Sequence, residues 1–444
     1  MSQLQLVFIV FLSIFVFLSY LSLLRNTVFG INITTGHYPG FFIFFSLVTS
    51  ILPSSILLNS FPIEDFWVAF QVKQESVFFT SVLVLYTSFI FIVTLYLISR
   101  IFPKKFSCLY YEFGDDKKNY LTFIRLSLIF CLIIILLAWL ILGVGHSFTI
   151  SLIDDVSVSG LRSGLNDSTL AKFIKHMFTI ICPLLSVLVA SGVYKNRKLE
   201  RYVSFVIIIF IAAWGGNKAP ILLVMLIYLV TYASVNNYKL SLKLLTLSIV
   251  ALFVILFATY RIVLFQYSDM TDISSFIDYF FQRVFVAGLI GVYEQMNLFL
   301  NDLNYIYHAV PFASFFVDYP NFHKDLMMVS EHRVDESSIG IKNTLFIAEA
   351  YAMAGWGGVI LSPVIVAVNY AISFRVITIV FSMFFPGHNQ RNNMFIAIFF
   401  FSYLKITGGF SDFLFFKTLI MMVILMLPFF FIAWVSKFRF VFNS

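Results

Sequence analysis

Between Arg261 and Asn343 the chain carries Arg261, Arg283, Glu294, His308, His323, His332, Arg333 and Asp335 among many aromatic residues. Imidazole and carboxylate groups can take a proton, and guanidinium groups can hold a phosphate. His332 lies in Glu331-His-Arg-Val-Asp-Glu-Ser-Ser-Ile-Gly-Ile-Lys-Asn343. It is the first candidate for a general base, or for a neutral donor, near neutral pH. The next stretch places Glu349 just inside an apolar run, where an acid is costly unless paired. Lys342, about two helical turns earlier, is its expected partner. Glu294 is the third candidate base. It stands about three turns from Arg283, so a single helix over 276–300 puts both on one face. That face looks into a cavity or forms a structural Arg–Glu network.

Four further sites offer a charge for an anion. Arg333 can grip a phosphate bidentately, as lysine cannot. Arg162 sits in Ser159-Gly-Leu-Arg-Ser-Gly164, within a loop too long for a connector. Arg261 stands where an apolar run ends, as an anchor or a ligand. Lys218 closes the turn Gly215-Gly-Asn-Lys218 directly before Ala219-Pro220. Proline near a first turn marks a helix start, and free amides there favour an anion. The same turn is also a plain hairpin with a snorkelling lysine. Lys405, Asp412 and Lys417 flank another turn, where they pair with one another or snorkel.

Apolar segments hold these groups. The hydrophobic fraction is 60%, the charged fraction 11% and the mean hydropathy +0.95. Runs near 20 residues cross a bilayer as helices, and about eleven are expected (ten to twelve). They are 4–24, 39–59, 76–99, 121–143, 176–194, 202–214, 219–235, 242–260, 344–374, 392–410 and 412–435. The fold class is therefore an all-α polytopic membrane protein, read as one integral membrane domain over 1–444. Strands alternating polar and apolar residues are absent, which argues against a barrel.

Lysine and arginine set the orientation. Arg25 follows the first span, and basic residues crowd 100–125, 195–201, 239–243 and 437–439. The positive-inside rule puts these in the cytoplasm, with the amino terminus periplasmic and the carboxyl terminus cytoplasmic. Segments 60–75, 144–175, 215–218, 261–343 and the turn near 411 then face outward. Two of them, 144–175 and 261–343, are long loops expected to hold short helices. The net charge of +7 needs no nucleic acid to explain it. Three cysteines in or beside inward and membrane segments imply no disulfide framework.

No Walker A, HExxH or GxSxG pattern occurs. The seven histidines are scattered without ligand spacing, so neither a metal nor any other cofactor is expected.

With these features the chain resembles the Wzy-type O-antigen polymerases of Gram-negative bacteria. The resemblance covers nearly the whole length as a layout. It rests on the outward amino terminus, two long outward loops and isolated outward arginines. It rests also on Gly215-Gly-Asn-Lys-Ala-Pro220, which is similar to that family's Gly-Gly-x-Arg turn, and on Asn343 to Gly358 with Glu349. Lys218 departs from the pattern by replacing the arginine fork.

The resemblance implies a glycosyltransferase of the bacterial inner membrane, needing neither metal nor nucleotide. It would join undecaprenyl-diphosphate-linked oligosaccharide units on the periplasmic face, with a chain-length regulator as a possible protein partner. Arg162, Lys218, Arg261, Arg283 and Arg333 would hold the diphosphates. His332, Glu294 or Glu349 would deprotonate the acceptor hydroxyl. An O-antigen ligase is the nearest alternative. A lipid-linked oligosaccharide flippase is another, but repeated helical halves and short outer loops, expected of such a transporter, are not found.

Overall fold

The computed structural model describes residues 3–32, 38–100, 117–143, 169–194, 197–215, 218–236, 273–311, 313, 316–332, 342–384 and 390–438. Among them the structure is helical. Seven helices are long and apolar enough to cross a membrane: α1 (Gln3–Leu24), α2 (Phe41–Ser60), α3 (Gln74–Ser99), α4 (Lys117–Leu142), α5 (Thr169–Ala190), α11 (Phe346–Phe384) and α13 (Lys417–Phe438). Shorter apolar helices fall where further spans are expected: α6 (Lys198–Ala213), α7 (Lys218–Val235) and α12 (Gln390–Tyr403). The expected span 242–260 lies outside the described residues, as do Arg162, Arg261 and Arg333.

These helices are apolar nearly all round, which in a chain this size means a membrane span or a buried core. The outer faces decide between the two. Leu4, Phe11, Trp139, Ile141 and Phe431 are all well exposed, with Leu4 at 81%. Such a belt would aggregate in water and is at ease in lipid. The protein is thus a multi-pass membrane protein. Serine and threonine hydroxyls within the spans donate back to carbonyls one turn earlier, as Thr87 does to Leu83 and Thr378 to Phe374. That leaves few polar groups facing lipid.

α3 packs along both α11 and α1. α5, α6 and α7 form a second group, joined to the first through α12 and α13, with α4 packed against α5, α6 and α13. The Tyr20 hydroxyl, fully buried on α1, lies 2.9 Å from the Phe29 carbonyl and 3.0 Å from that of Gly40. It ties the end of α1 to the start of α2. At one end of the bundle Arg125 reaches Glu200 at 2.7 Å, and Arg197 meets the same carboxylate at 3.3 Å.

The opposite end holds the described parts of the polar segment 261–343, the excursion. Its helices α8 (Ile273–Phe285), α9 (Ile290–Leu298) and α10 (Phe322–Glu331) are short and separate. The expected single helix over 276–300 is broken at residues 286–289. Arg283 is consequently exposed on α8 while Glu294 is fully buried on α9, and the two share no face. Polar cross-links hold the excursion to the spans. Ser54 of α2 donates to the Phe285 carbonyl at 2.6 Å, satisfying an otherwise open helix end. Asn59, Ser81 and Tyr293 form a hydrogen-bonded chain from α2 through α3 to α9.

α11 outruns the expected 344–374. Its 39 residues would measure about 58 Å as one straight helix, far more than a bilayer needs. Ala354 and Gly355 interrupt it, and Gly355 has φ 58°, a left-handed value that glycine adopts without steric cost. A short opening piece with Glu349 is thereby set apart from the span that follows.

Removing the Tyr20 hydroxyl tests how α1 is held. Tyr20→Phe removes the hydroxyl donor that links the Phe29 and Gly40 carbonyls, although Gly40 still accepts from the Ile43 and Phe44 amides, and should cost about 1 kcal/mol. A lowered melting temperature in detergent is the expected result.

Candidate active site

Glu349 has no exposed surface, and three segments far apart in sequence supply its partners. The Ser411 amide donates to its Oε2 at 2.7 Å. His308 Nδ1 lies 3.3 Å from Oε1, and His323 Nε2 lies 3.9 Å from Oε2. His308 comes from a 3-10 turn, Leu303–Ala309, begun by Asp302, whose side chain caps it. His323 is in the first turn of α10, where the Asn321 side chain accepts from the His323 and Lys324 amides. Ser411 belongs to the turn Phe410–Asp412 between α12 and α13.

Charge and tautomer follow from these partners. An ionised carboxylate only accepts, so His308 donates through Nδ1, which leaves its Nε2 for another group. The His308 side chain retains 19% exposure in front of the sealed carboxylate. His323 Nδ1 faces the Lys342 carbonyl at 3.2 Å and must donate there. Its Nε2 then carries a proton toward Glu349 only as imidazolium.

Gly409 makes the close packing possible. A Cβ at this position would overlap Glu349 Oε2 and stand 2.6 Å from His323 Nε2. Its backbone angles, φ −75° and ψ 159°, suit any residue, so the requirement is one of space. Asp412 turns back to accept from the Gly409 amide at 3.2 Å. Burial first, and then the nearby Glu349 charge, push the Asp412 carboxyl above its ordinary value, while Lys417 and the histidines pull it down. Lys417 donates to the His308 carbonyl. The expected mutual pairing of Lys405, Asp412 and Lys417 is thus replaced, for Lys417, by a tie to the excursion.

A second cluster abuts the first. Lys342 lies 3.0 Å from Glu294 and 3.1 Å from Glu331, and stands over the Phe70 ring at 4.9 Å. The expected pairing of Lys342 with Glu349 is therefore corrected: the lysine serves two other acids. Its backbone runs beside His323, exchanging hydrogen bonds in both directions. Burial pushes the Glu294 carboxyl up, against the opposing pull of Lys342. Glu294 is committed to this clamp and to the Phe70 amide at 3.4 Å.

The remaining expected residues lie elsewhere. His332 is exposed, ends α10 in a left-handed conformation, and meets the Gln71 amide nitrogen at 2.8 Å. Lys218 starts α7 as the Ala219-Pro220 signal implies. Arg283 is exposed and apart from the carboxylates. His308 and His323 were the pieces that linear spacing hid, since residues 308, 323, 349 and 411 share no local pattern. Adjacent Gly408 and Gly409 before an acid were the one sequence signal of tight backbone packing here.

Chemically, the arrangement is an imidazole oriented by a sealed carboxylate, which can take a proton and stabilise the resulting cation. No three-residue metal-binding group occurs among the described residues. No protein-family model, curated protein or solved structure matches the chain.

The Lys342 clamp gives a measurable outcome. Lys342→Met strips two carboxylates of their shared cation and should destabilise the protein by about 3–5 kcal/mol. Adding Glu294→Gln should recover part of that loss. A thermal melt of both variants that shows no difference from the parent protein would remove the clamp from the account.

Proposed function

We propose that this chain is an O-antigen polymerase of the Wzy type, acting at the periplasmic face of the bacterial inner membrane. One observation carries the reading: the His308–Glu349 pair, a partly exposed imidazole backed by a fully buried carboxylate, at one end of a multi-span bundle. Catalytic pairs of this kind activate hydroxyl groups.

The grouping of segments supports the orientation. Segments 60–75, 261–343 and the turn near 411 meet at the site, through Phe70 with Glu294 and Ser411 with Glu349. The basic segments expected inside meet at the other end, through Arg125 and Glu200. A lipid-linked donor also suits a site beside the bilayer and a chain without nucleotide motifs.

In the proposed reaction the acceptor sugar hydroxyl attacks the anomeric carbon of the donor. His308 Nε2 takes the hydroxyl proton as the new C–O bond forms. The bond from anomeric carbon to diphosphate breaks, and the diphosphate leaves with the electron pair. Glu349 stabilises the imidazolium at Nδ1, while the Ser411 amide holds Glu349 in place. This gives Glu349 an orienting role and His308 the basic one. Glu294 belongs to the supporting clamp.

A lipopolysaccharide gel tests the proposal and separates it from its neighbours. A deletion strain should carry a single repeat unit on core, whereas loss of a ligase leaves bare core. Loss of a flippase instead leaves the lipid-linked unit on the cytoplasmic face. His308→Gln and Glu349→Gln should each fail to restore the ladder, with activity lowered roughly 10²–10⁴-fold. A normal ladder from both variants at normal protein level would refute the assignment.

A further inference from the structure

The break at 286–289 lies deep against α2, and α8 and α9 climb from it to one rim. α2 has 20 residues, which as a helix measure about 30 Å, the thickness of the hydrocarbon layer. It ends at Ser60, and residues 61–73 cross from there to the start of α3. α8 meets this crossing first. The Tyr279 ring stacks on Trp67 with centroids 4.9 Å apart, and Gln282 donates to the Asp65 carbonyl at 3.0 Å. The contacts then move down α2. The Phe285 carbonyl takes the Ser54 hydroxyl, about 9 Å below Ser60 at helical rise. Gly288 is pressed on Ser50, about 15 Å below Ser60, and a Cβ there would stand 2.9 Å from the Ser50 hydroxyl. α9 climbs again. Tyr293 meets Ser81 inside α3, Glu294 meets the Phe70 amide, and Asn297 donates to the Gln71 carbonyl at 3.1 Å. The path thus ends at the crossing where it began.

Non-helical backbone at this depth survives only where protein covers it and its polar groups are paired. Both conditions hold at the break. Val286 and Leu289 have no exposed surface, and Ala287 has 5%. The Val286 and Ala287 amides donate to the Gln282 carbonyl, and the Leu289 amide to that of Val286. The Ser54 hydroxyl serves the Phe285 carbonyl.

The faces of α8 are reversed relative to a helix on a water-soluble protein, which turns its apolar side inward. Here Gln282 is buried against the protein and also donates to Asp278. Ile277 and Phe281, one turn apart on the other side, are 48% and 40% exposed, and Val284 continues their row. Lipid reaches α2 at the depth of the break, because Phe45 and Val48 are exposed there. Arg283 is exposed at the flank of the row, and its long side chain can reach back toward the headgroups.

The geometry points to a re-entrant hairpin: residues 273–298 dip into the bilayer and return to the same side, with phospholipid acyl chains covering Ile277, Phe281 and Val284. The polar segment expected to lie wholly outside thus sends one loop into the membrane. Its returning limb carries Glu294, so the Lys342 clamp is fixed to an embedded element. The inference stands apart from the polymerase reading, and its test does not use the ladder.

Spin labels report both cover and depth. Ile277→Cys, Phe281→Cys and Val284→Cys are made singly in the full chain with Cys108, Cys131 and Cys182 replaced by alanine, labelled with a nitroxide, and placed in phosphatidylcholine nanodiscs. Trp139→Cys on a lipid-facing span and Lys324→Cys on exposed α10 are the lipid and water references. All three α8 labels should relax with oxygen, as at 139, and resist a water-soluble nickel chelate. Depth should increase from 277 to 284, which are about 10 Å apart along the helix axis. Strong relaxation by the chelate, as at 324, overturns the proposal. Low relaxation by both agents means that protein covers the face and overturns it too. Equal depth at all three positions marks a helix lying flat on the surface and overturns the re-entrant path. If the alanine background fails to fold, Phe281→p-benzoylphenylalanine in the otherwise native chain answers the same question. Irradiation should give a phospholipid adduct, whereas cross-linking only within the chain or to a second copy overturns the lipid contact.

Discussion

A carboxylate sealed from water at the end of a helix bundle constrains everything near it. Glu349 has no exposed surface, so its charge must be met by donors fixed in advance. Donors arrive from a 3-10 turn and from the turn before α13, and the His323 ring of α10 stands 3.9 Å away. Each lies in a different part of the chain. The site is therefore assembled only when the excursion has folded onto the spans, and the folding of the two is a single event at this point. Gly409 is the steric condition for that event, because any side chain there would occupy the space where carboxylate and imidazole meet.

The excursion gains order the same way. Short helices such as α9 and α10 are marginal in isolation and depend on packing and capping. α9 is buried along most of its length and is tied to α2 and α3 through Tyr293, Ser81 and Asn59. α10 is started by the Asn321 side chain and pinned by the His323–Lys342 backbone pair. Lys342 thus does two jobs. Its ammonium neutralises Glu294 and Glu331, and its peptide groups set the position of an imidazole against Glu349.

The helical, membrane-spanning class was legible because long apolar runs have few other physical outcomes. The start of α7 was legible from Ala219-Pro220, a signal that acts locally. Glu349 stood out because an acid inside an apolar run demands a reason. Its partners were not legible. Lys342 is near in sequence, yet it turns to Glu294 and Glu331, since proximity along the chain says little once a turn intervenes. The break at 286–289 defeated the shared face of Arg283 and Glu294, because helical periodicity holds only within one helix. His308 and His323 meet through tertiary packing, which leaves no spacing rule behind.

The ion pair between Lys342 and Glu331 also closes a ring in the chain. Glu331 and Lys342 are eleven residues apart in the chain and are held by that one contact. For such a ring the entropy of closure grows only slowly with its length. Holding Glu331 against Lys342 is therefore a modest entropic cost, and the His323–Lys342 contact shares in it. The clasp thus acts as a local crosslink without a covalent bond, fixing the end of α10 beside the segment that leads into α11.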